Sequence, residues 1–432
     1  MNVGVTLIAA LLVGMPGIAM AQGEYTSQPV DVYVQQLQSD DAGVRRRAAY
    51  ILGRMNAPAD VAVPALAEAL SDGQMETRWY AMDALGHFGA DAAPAVPAII
   101  KSLESKLNDA TVRRRAAASL ANIGPDAQEA VPILKEALNS DDTLYAIAAA
   151  EALWRIEGDP QALTFISEQL QADDAVTAFA AAIALGDLPL NEIPQADEEL
   201  VPPLVSALGH PNEDVRQATV DALVKVGPPA IEPLSKLLSE ERNSETLRGA
   251  GVALGMIVDR LRVRKLHNEE IAEADFAAAA GPLIRVAFPA LAKGLQSDDP
   301  QLRSACQLAL AKGGSVASFQ LLRILTTDDS HGREAAAQAL ARMEVYLPRQ
   351  RPFPPHLQRV HERIIAPLVA AMASEDPNVQ RASVRLFVAL EVGPAGAAAE
   401  PHLRKALETG DLSTRRLADK ALQQIQKTDE AN

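Results

Sequence analysis

Val112-Arg113-Arg114-Arg115-Ala116-Ala117-Ala118-Ser119-Leu120-Ala121-Asn122-Ile123-Gly124-Pro125 is the stretch that decides the fold. With Val112 as position 0, the apolar and small residues at positions 0, 4, 7, 8 and 11 fall in one stripe at 100° per residue, the mark of an amphipathic helix. Gly124-Pro125 then supplies the left-handed cap and the break that end it. Val44-Arg45-Arg46-Arg47-Ala48-Ala49 and Val215-Arg216-Gln217-Ala218 are further clear copies of the phrase. Aligning all copies on the residue at position 8 gives Leu52, Leu85, Leu120, Leu153, Leu185, Leu223, Leu254, Leu310, Leu340, Phe387 and Leu422, with successive gaps of 33, 35, 33, 32, 38, 31, 56, 30, 47 and 35. A period in the low thirties means stacked repeats, no one of which can bury its apolar face alone.

Each unit reads as two helices. The longer opens after aspartate pairs, Asp40-Asp41, Asp141-Asp142, Asp173-Asp174 and Asp298-Asp299, whose carboxylates cap free amides and favour the positive helix end. It stops at glycine, often Gly-Pro, as at Gly124, Gly227 and Gly393. The shorter helix opens on a proline near its first turn, at Pro64, Pro97, Pro132, Pro202, Pro233, Pro289, Pro367 and Pro401. No run alternates with the period of two that a half-buried strand requires, so the expected fold is all-α.

These phrases resemble the HEAT repeat, in particular its short variety named for phycobilisome lyases, over about residues 31–428. The resemblance implies an α-α superhelix, a HEAT-type solenoid of about eleven two-helix repeats, and a binding scaffold rather than a catalyst. It also implies a structural ladder in which the arginine at position 1 meets an aspartate of a neighbouring unit. That arginine is present as Arg45, Arg78, Arg113, Arg216, Arg303, Arg333 and Arg415, whereas Ala146, Ala178, Leu247 and Gln380 occupy the position in the other units.

Composition agrees with such a stack. Apolar residues make up 48% of the 432 residues and aromatics only 4%, as in closely packed Ala- and Leu-rich helices. The formal charge of −16 opposes binding to nucleic acid or an anionic membrane surface. One cysteine can form neither an internal disulfide nor a multi-cysteine metal site. Residues 1–21 carry no Asp, Glu, Lys or Arg and end in Ala19-Met20-Ala21, the pattern of a signal peptide with a small-residue cleavage site. The expected organisation is a signal peptide over 1–21, a linker over 22–30, the solenoid over 31–428 with insertions near 258–282 and 344–363, and a tail over 429–432. Export makes the product secreted or periplasmic, with no membrane span after cleavage; retention of the segment as an anchor is the other outcome.

In a HEAT solenoid the long helices line the concave surface, where positions 2, 5, 6 and 9 face a partner. Arg46, Trp79, Arg114, Ile147, Trp154, Phe179 and Ile183 occupy such positions, and both tryptophans of the chain are among them. Read as a site they form a partner-binding surface, apolar in units four and five; read as packing they lie between adjacent long helices. The first insertion runs from Arg260, Arg262, Arg264 and Lys265 to Glu269, Glu270, Glu273 and Asp275, blocks able to pair along a longer helix. The second combines Pro348, Pro352, Pro354 and Pro355 with Arg349, Arg351, Arg359 and Arg363, a basic loop.

Catalytic patterns are sparse. Gly249-x-Gly251-x-x-x-Gly255 imitates a dinucleotide loop but falls inside a repeat helix with no strand before it, which points to close helix packing. The histidines are scattered, and Cys306 falls at position 4 of its helix, on the core stripe. The sequence therefore predicts an enzymatically inactive, cofactor-free monomer that binds a protein partner. The alternative implied by the family's name is a lyase-like accessory enzyme or subunit acting on a tetrapyrrole-protein substrate.

Overall fold

The computed structural model describes residues 28–55, 57–105, 109–188, 199–240, 243–266, 281–313, 317–325, 329–343, 365, 368–374, 377–390 and 393–426. The expected leader, the acidic half of the first insertion, the proline-arginine loop of the second and the tail lie outside the described residues. No strand occurs among the described residues. The helices in chain order are α1 (Val30–Gln36), α2 (Ala42–Leu52), α3 (Ala59–Ala69), α4 (Met75–Phe88), α5 (Val96–Glu104), α6 (Ala110–Ile123), α7 (Val131–Ala137), α8 (Thr143–Glu157), α9 (Pro160–Gln169) and α10 (Ala175–Asp187). They continue as α11 (Val201–Ala207), α12 (Glu213–Val226), α13 (Ile231–Glu240), α14 (Ser244–Leu266), α15 (Phe288–Gly294), α16 (Pro300–Lys312), α17 (Ser318–Leu325), α18 (Ser330–Met343), α19 (Pro377–Leu390), α20 (Glu400–Thr409) and α21 (Leu412–Gln426).

Two compact units share these elements. The first comprises Met1–Ile193 with Asn212–Ala222, the second Pro194–Pro211 with Leu223–Asn432. Within the first, long helices α2, α4, α6, α8 and α10 pack each on the next, with the shorter helices alongside them. Within the second, α14, α16, α18, α19 and α21 do the same. The fold is the expected α-α superhelical stacking of two-helix repeats.

Position 4 of the long helices shows why they can stack so closely. All eleven residues there, Ala48, Ala81, Ala116, Ala149, Ala181, Thr219, Ala250, Cys306, Ala336, Ser383 and Ala418, have zero exposure. Each is small, so helix axes can approach without leaving voids. Where the residue is polar, its hydroxyl returns to the position-0 carbonyl: Thr219 Oγ1 donates to Val215 O at 2.7 Å and Ser383 Oγ to Val379 O at 2.7 Å. A buried hydroxyl is thus satisfied inside its own helix.

The second aspartate of each expected pair is the cap. Asp41 accepts from the amides of Gly43 and Val44, Asp142 from Tyr145, Asp174 from Val176 and Thr177, and Asp299 from Gln301. Asn212 and Asn243 do the same for α12 and α14.

The connections differ from the expectation. Between long and short helices run seven-residue 3-10 segments, Gly89–Ala95, Gly124–Ala130 and Gly393–Ala399. Gly89 and Gly124 enter them at φ 55° and 73°, which favours glycine. Ala92, Ala95, Ala127 and Ala130 line their inner side with zero exposure. In the first repeat this stretch is α-helical instead, so Pro64 lies inside α3 rather than at its first turn. Pro97, Pro132, Pro202, Pro289 and Pro401 do stand at helix starts.

The glycine phrase Gly249-x-Gly251-x-x-x-Gly255 lies within α14 and is a packing device. A Cβ at Gly255 would sit 3.0 Å from that of Ala309, one at Gly251 3.5 Å from that of Ala305, and one at Gly249 3.1 Å from Leu208. α14 runs 23 residues and carries the basic half of the first insertion to Leu266.

Candidate partner-binding surface

Position 1 of the long helices works mainly on the backbone. Arg45 Nη1 donates to Ser39 O at 2.8 Å and Asp40 O at 3.0 Å, Arg78 Nη1 to Asp72 O at 2.8 Å, Arg303 Nη1 to Ser297 O at 2.6 Å, and Arg415 Nε to Gly410 O at 2.6 Å. Each guanidinium thereby satisfies carbonyls left open after the preceding short helix. Arg45 also reaches the next repeat, with Nε and Nη2 at 2.6 Å and 3.1 Å from the Asp72 carboxylate. Arg113 lies over the Tyr145 ring at 5.8 Å, and Arg216 and Arg333 are half-buried at the equivalent site. Where Gln380 replaces the arginine, its neighbour Arg381 makes the ion pair to Asp411.

The expected partner-facing residues separate into two groups. Arg46 is exposed, while Trp79, Arg114, Trp154 and Ile183 are half-buried. Ile147 and Phe179 are each only 3% exposed. Those two do not face a partner, because α6, α8 and α10 pack tightly enough to cover apolar side chains between them. The apolar surface of units four and five shrinks to Trp154 and Ile183, joined by Val176 at 49% exposure on α10.

A second arrangement, across α2, α4 and α6, is more definite. Tyr50 and Tyr80 meet edge to face with centroids 5.4 Å apart. The Arg54 guanidinium lies 5.1 Å over Tyr50, and that of Arg115 lies 5.6 Å over Trp79, separations typical of cation–π contact. Arg115 is also ion-paired to Asp83, and Asp83's carbonyl lies 2.6 Å from His87 Nδ1. Burial pushes the Asp83 carboxyl up in spite of that ion pair. It also raises the Tyr80 hydroxyl, against the opposing fields of Arg46 and Arg115. Sequence positions 2 and 6 include Arg46, Trp79, Tyr50 and Asp83. Position 3, which supplies Tyr80 and Arg115, flanks the stripe and was outside the expected set.

No three His, Cys, Asp or Glu side chains among the described residues are placed to hold a metal ion. Cys306 is fully buried, and desolvation pushes its thiol up to about 12, far from a reactive thiolate. No described helix is long and apolar enough to cross a membrane.

A family model described as HEAT repeats matches residues 30–109, 96–186 and 180–255, together just over half of the chain. The chain belongs to the HEAT-repeat family. No curated protein matches it. Among solved structures, this HEAT-repeat chain is similar to an engineered protein at 24% identity, over 92% of this chain and 98% of that one, with a TM-score of 0.32. It is similar to Kap121p bound to Ste12p at 15% identity, over 92% and 49% of the two chains, with a TM-score of 0.44. Importin beta gives 16% identity over 92% and 55%, with a TM-score of 0.43. The chain spans about half the length of Kap121p and of importin beta. Membership rests on the repeat match and on the two-helix units themselves.

Proposed function

We propose that this HEAT-repeat protein is an exported, non-catalytic scaffold that works as a monomer and holds a protein partner on the exposed face of its long helices. The repeats are read as the short phycobilisome-lyase-like variety because most copies recur every 30–38 residues. The observation that carries the reading is the surface on α2, α4 and α6, where Tyr50, Trp79 and Tyr80 stay half-buried beside exposed Arg46 and Arg54. Aromatic rings and arginine are the side chains most often found as binding hot spots. The uncharged segment 1–21 supports export to the periplasm or medium.

Crosslinking in intact cells, followed by capture of the full chain from the envelope and medium fractions, tests both parts. A specific partner captured by wild type and lost with Trp79→Ala and Ile183→Asp supports the scaffold. A partner retained undiminished by those variants removes it. Native protein that begins at Gln22 establishes cleavage, and recovery only from cytosol refutes export.

A further inference from the structure

We infer that the α2–α4–α6 surface binds a short acidic segment of a protein partner. This inference rests on the scaffold reading above and narrows the partner's chemistry. The chain as a whole is strongly acidic at −16, yet α2 and α6 each carry three arginines and no acidic residue, while α4 between them sets Glu76 and Asp83 against Arg78, with Asp83 taken up by Arg115. Arg46 and Arg54 are exposed, and neither is ion-paired among the described residues. The Arg54 guanidinium lies over Tyr50, which meets Tyr80 edge to face, and the field of Arg46 acts on the Tyr80 hydroxyl, so an anion drawn to them would find aromatic rings near the same place. Positive charge meeting negative charge steers encounter and fixes orientation. Rings beside the cations offer a contact for apolar groups between the charges.

The extent of the surface limits the ligand. Acidic residues bound it at both ends of the helices: Asp41 and Asp109 at the N-terminal caps, Asp91 and Asp126 beyond the C-termini. Three helices at spacings of about 8–10 Å span roughly 20 Å, the length of about six extended residues. A long polyanion such as a nucleic acid laid along the helices would run past the arginines into those carboxylates, and one laid across them would pass beyond α2 and α6. A short acidic peptide would not.

Fluorescence anisotropy on the full chain tests this with labelled peptides of roughly eight residues, alternating Glu, Lys or Gln with Phe. The expected result is that the Glu peptide binds at least about tenfold tighter than the other two and weakens by a similar factor as salt rises from ~50 to ~500 mM. Arg46→Glu with Arg54→Glu, or the milder Arg46→Gln with Arg54→Gln, removes that preference. Arg285→Glu with Arg342→Glu, the same charge change on exposed residues of the second unit, leaves it intact. Equal binding of the three peptides, no loss in the Arg46/Arg54 variants, or equally tight binding of an oligothymidylate of matched charge would each overturn the inference. The scaffold reading fails separately, through the Trp79 and Ile183 capture experiment, so an acidic-peptide failure can stand beside an intact scaffold.

Discussion

Replacing Gly53 by alanine sets two known effects against each other at one site. Gly53 follows α2 with φ −74° and ψ −13°, a conformation alanine adopts freely. Considered alone, the backbone would gain about 0.4–1 kcal/mol from the reduced entropy of the unfolded chain. The added Cβ, however, would stand 2.7 Å from Ala84 Cβ and 2.8 Å from Ala84 Cα on α4. Carbon atoms pack best at about 3.5–4.0 Å, so α2 and α4 must part by about 1 Å. Neither Ala84 Cβ nor its backbone can rotate away. Overpacking of this kind costs about 1–3 kcal/mol, so from the middle of both ranges a net loss of about 1 kcal/mol remains. In a stack held by nearest-neighbour contacts the loss should stay at the first interface. Urea unfolding followed by circular dichroism, and by Trp79 fluorescence in a Trp154→Phe background, should show an earlier transition. Amide exchange should quicken in α2 while α14 and α16 keep their protection. A variant as stable as wild type, or one whose exchange rises evenly along the chain, would refute the packing account.

Four further outcomes follow from the same geometry. Asp72→Ala removes the acceptor of two Arg45 hydrogen bonds and of the Gln74 amide; a loss of about 1–2 kcal/mol is expected, and Arg45→Ala in the same background should then cost little more in a double-mutant cycle. Cys306 should resist thiol–disulfide exchange in the native protein at pH 8 and react fully in denaturant, as the absorbance of the thiolate released from an aromatic disulfide reagent would show; its burial holds the thiol up to about 12. Hydrogen bonds hold the Asp174, Asp299 and Asp411 carboxyls below their ordinary value, from Thr177, Ser244 and Thr414 respectively, and Asp72 is lowered by Arg45 against the opposing effect of burial. The unfolded chain then binds more protons, so their stabilisation is complete above the ordinary aspartate range and is lost as pH falls through the folded values; melting temperature against pH should drop on that side. Gln307, 5% exposed, donates to Ala335 O at 3.2 Å and Gln338 Oε1 at 2.8 Å. Gln307→Ala should therefore lower stability by about 1–2 kcal/mol in calorimetry.

The helical units were legible because one physical requirement repeats. A stripe of small and apolar residues that recurs mostly every 30–38 positions can be buried only against its own neighbours, and the zero exposure along position 4 is that requirement met. Caps were legible for a local reason: an aspartate two or three residues ahead of an amide reaches it whatever the surroundings. The 3-10 segments were not, since their small residues differ little in propensity between a tight turn and a helix; α3 uses an equivalent stretch as α-helix. The candidate surface was half legible. Angular position grouped exposed Arg46 and half-buried Trp79 with Ile147 and Phe179, but it could not tell that the last two are buried. Nor could it place Arg115 over Trp79, a contact set by the offset between two helices rather than by either one.

The glycines of α14 bear on how that helix finds its place. Gly251 and Gly255 lie one turn apart and face Ala305, Cys306 and Ala309, themselves one turn apart on α16. Small residues meeting small residues at a common interval invite sliding: a shift of one turn, about 5.4 Å, would present a similar surface again. The residues that bracket the glycines remove that degeneracy. One turn before them stands Leu247, a far bulkier residue than glycine. One turn after them stands Asp259, held 3.1 Å from Lys312 Nζ. The Cys306 sulfur, lodged between Gly251 and Gly294, closes the remaining space. The lone cysteine thus acts as a key: its size, and not its reactivity, helps leave the two helices a single register.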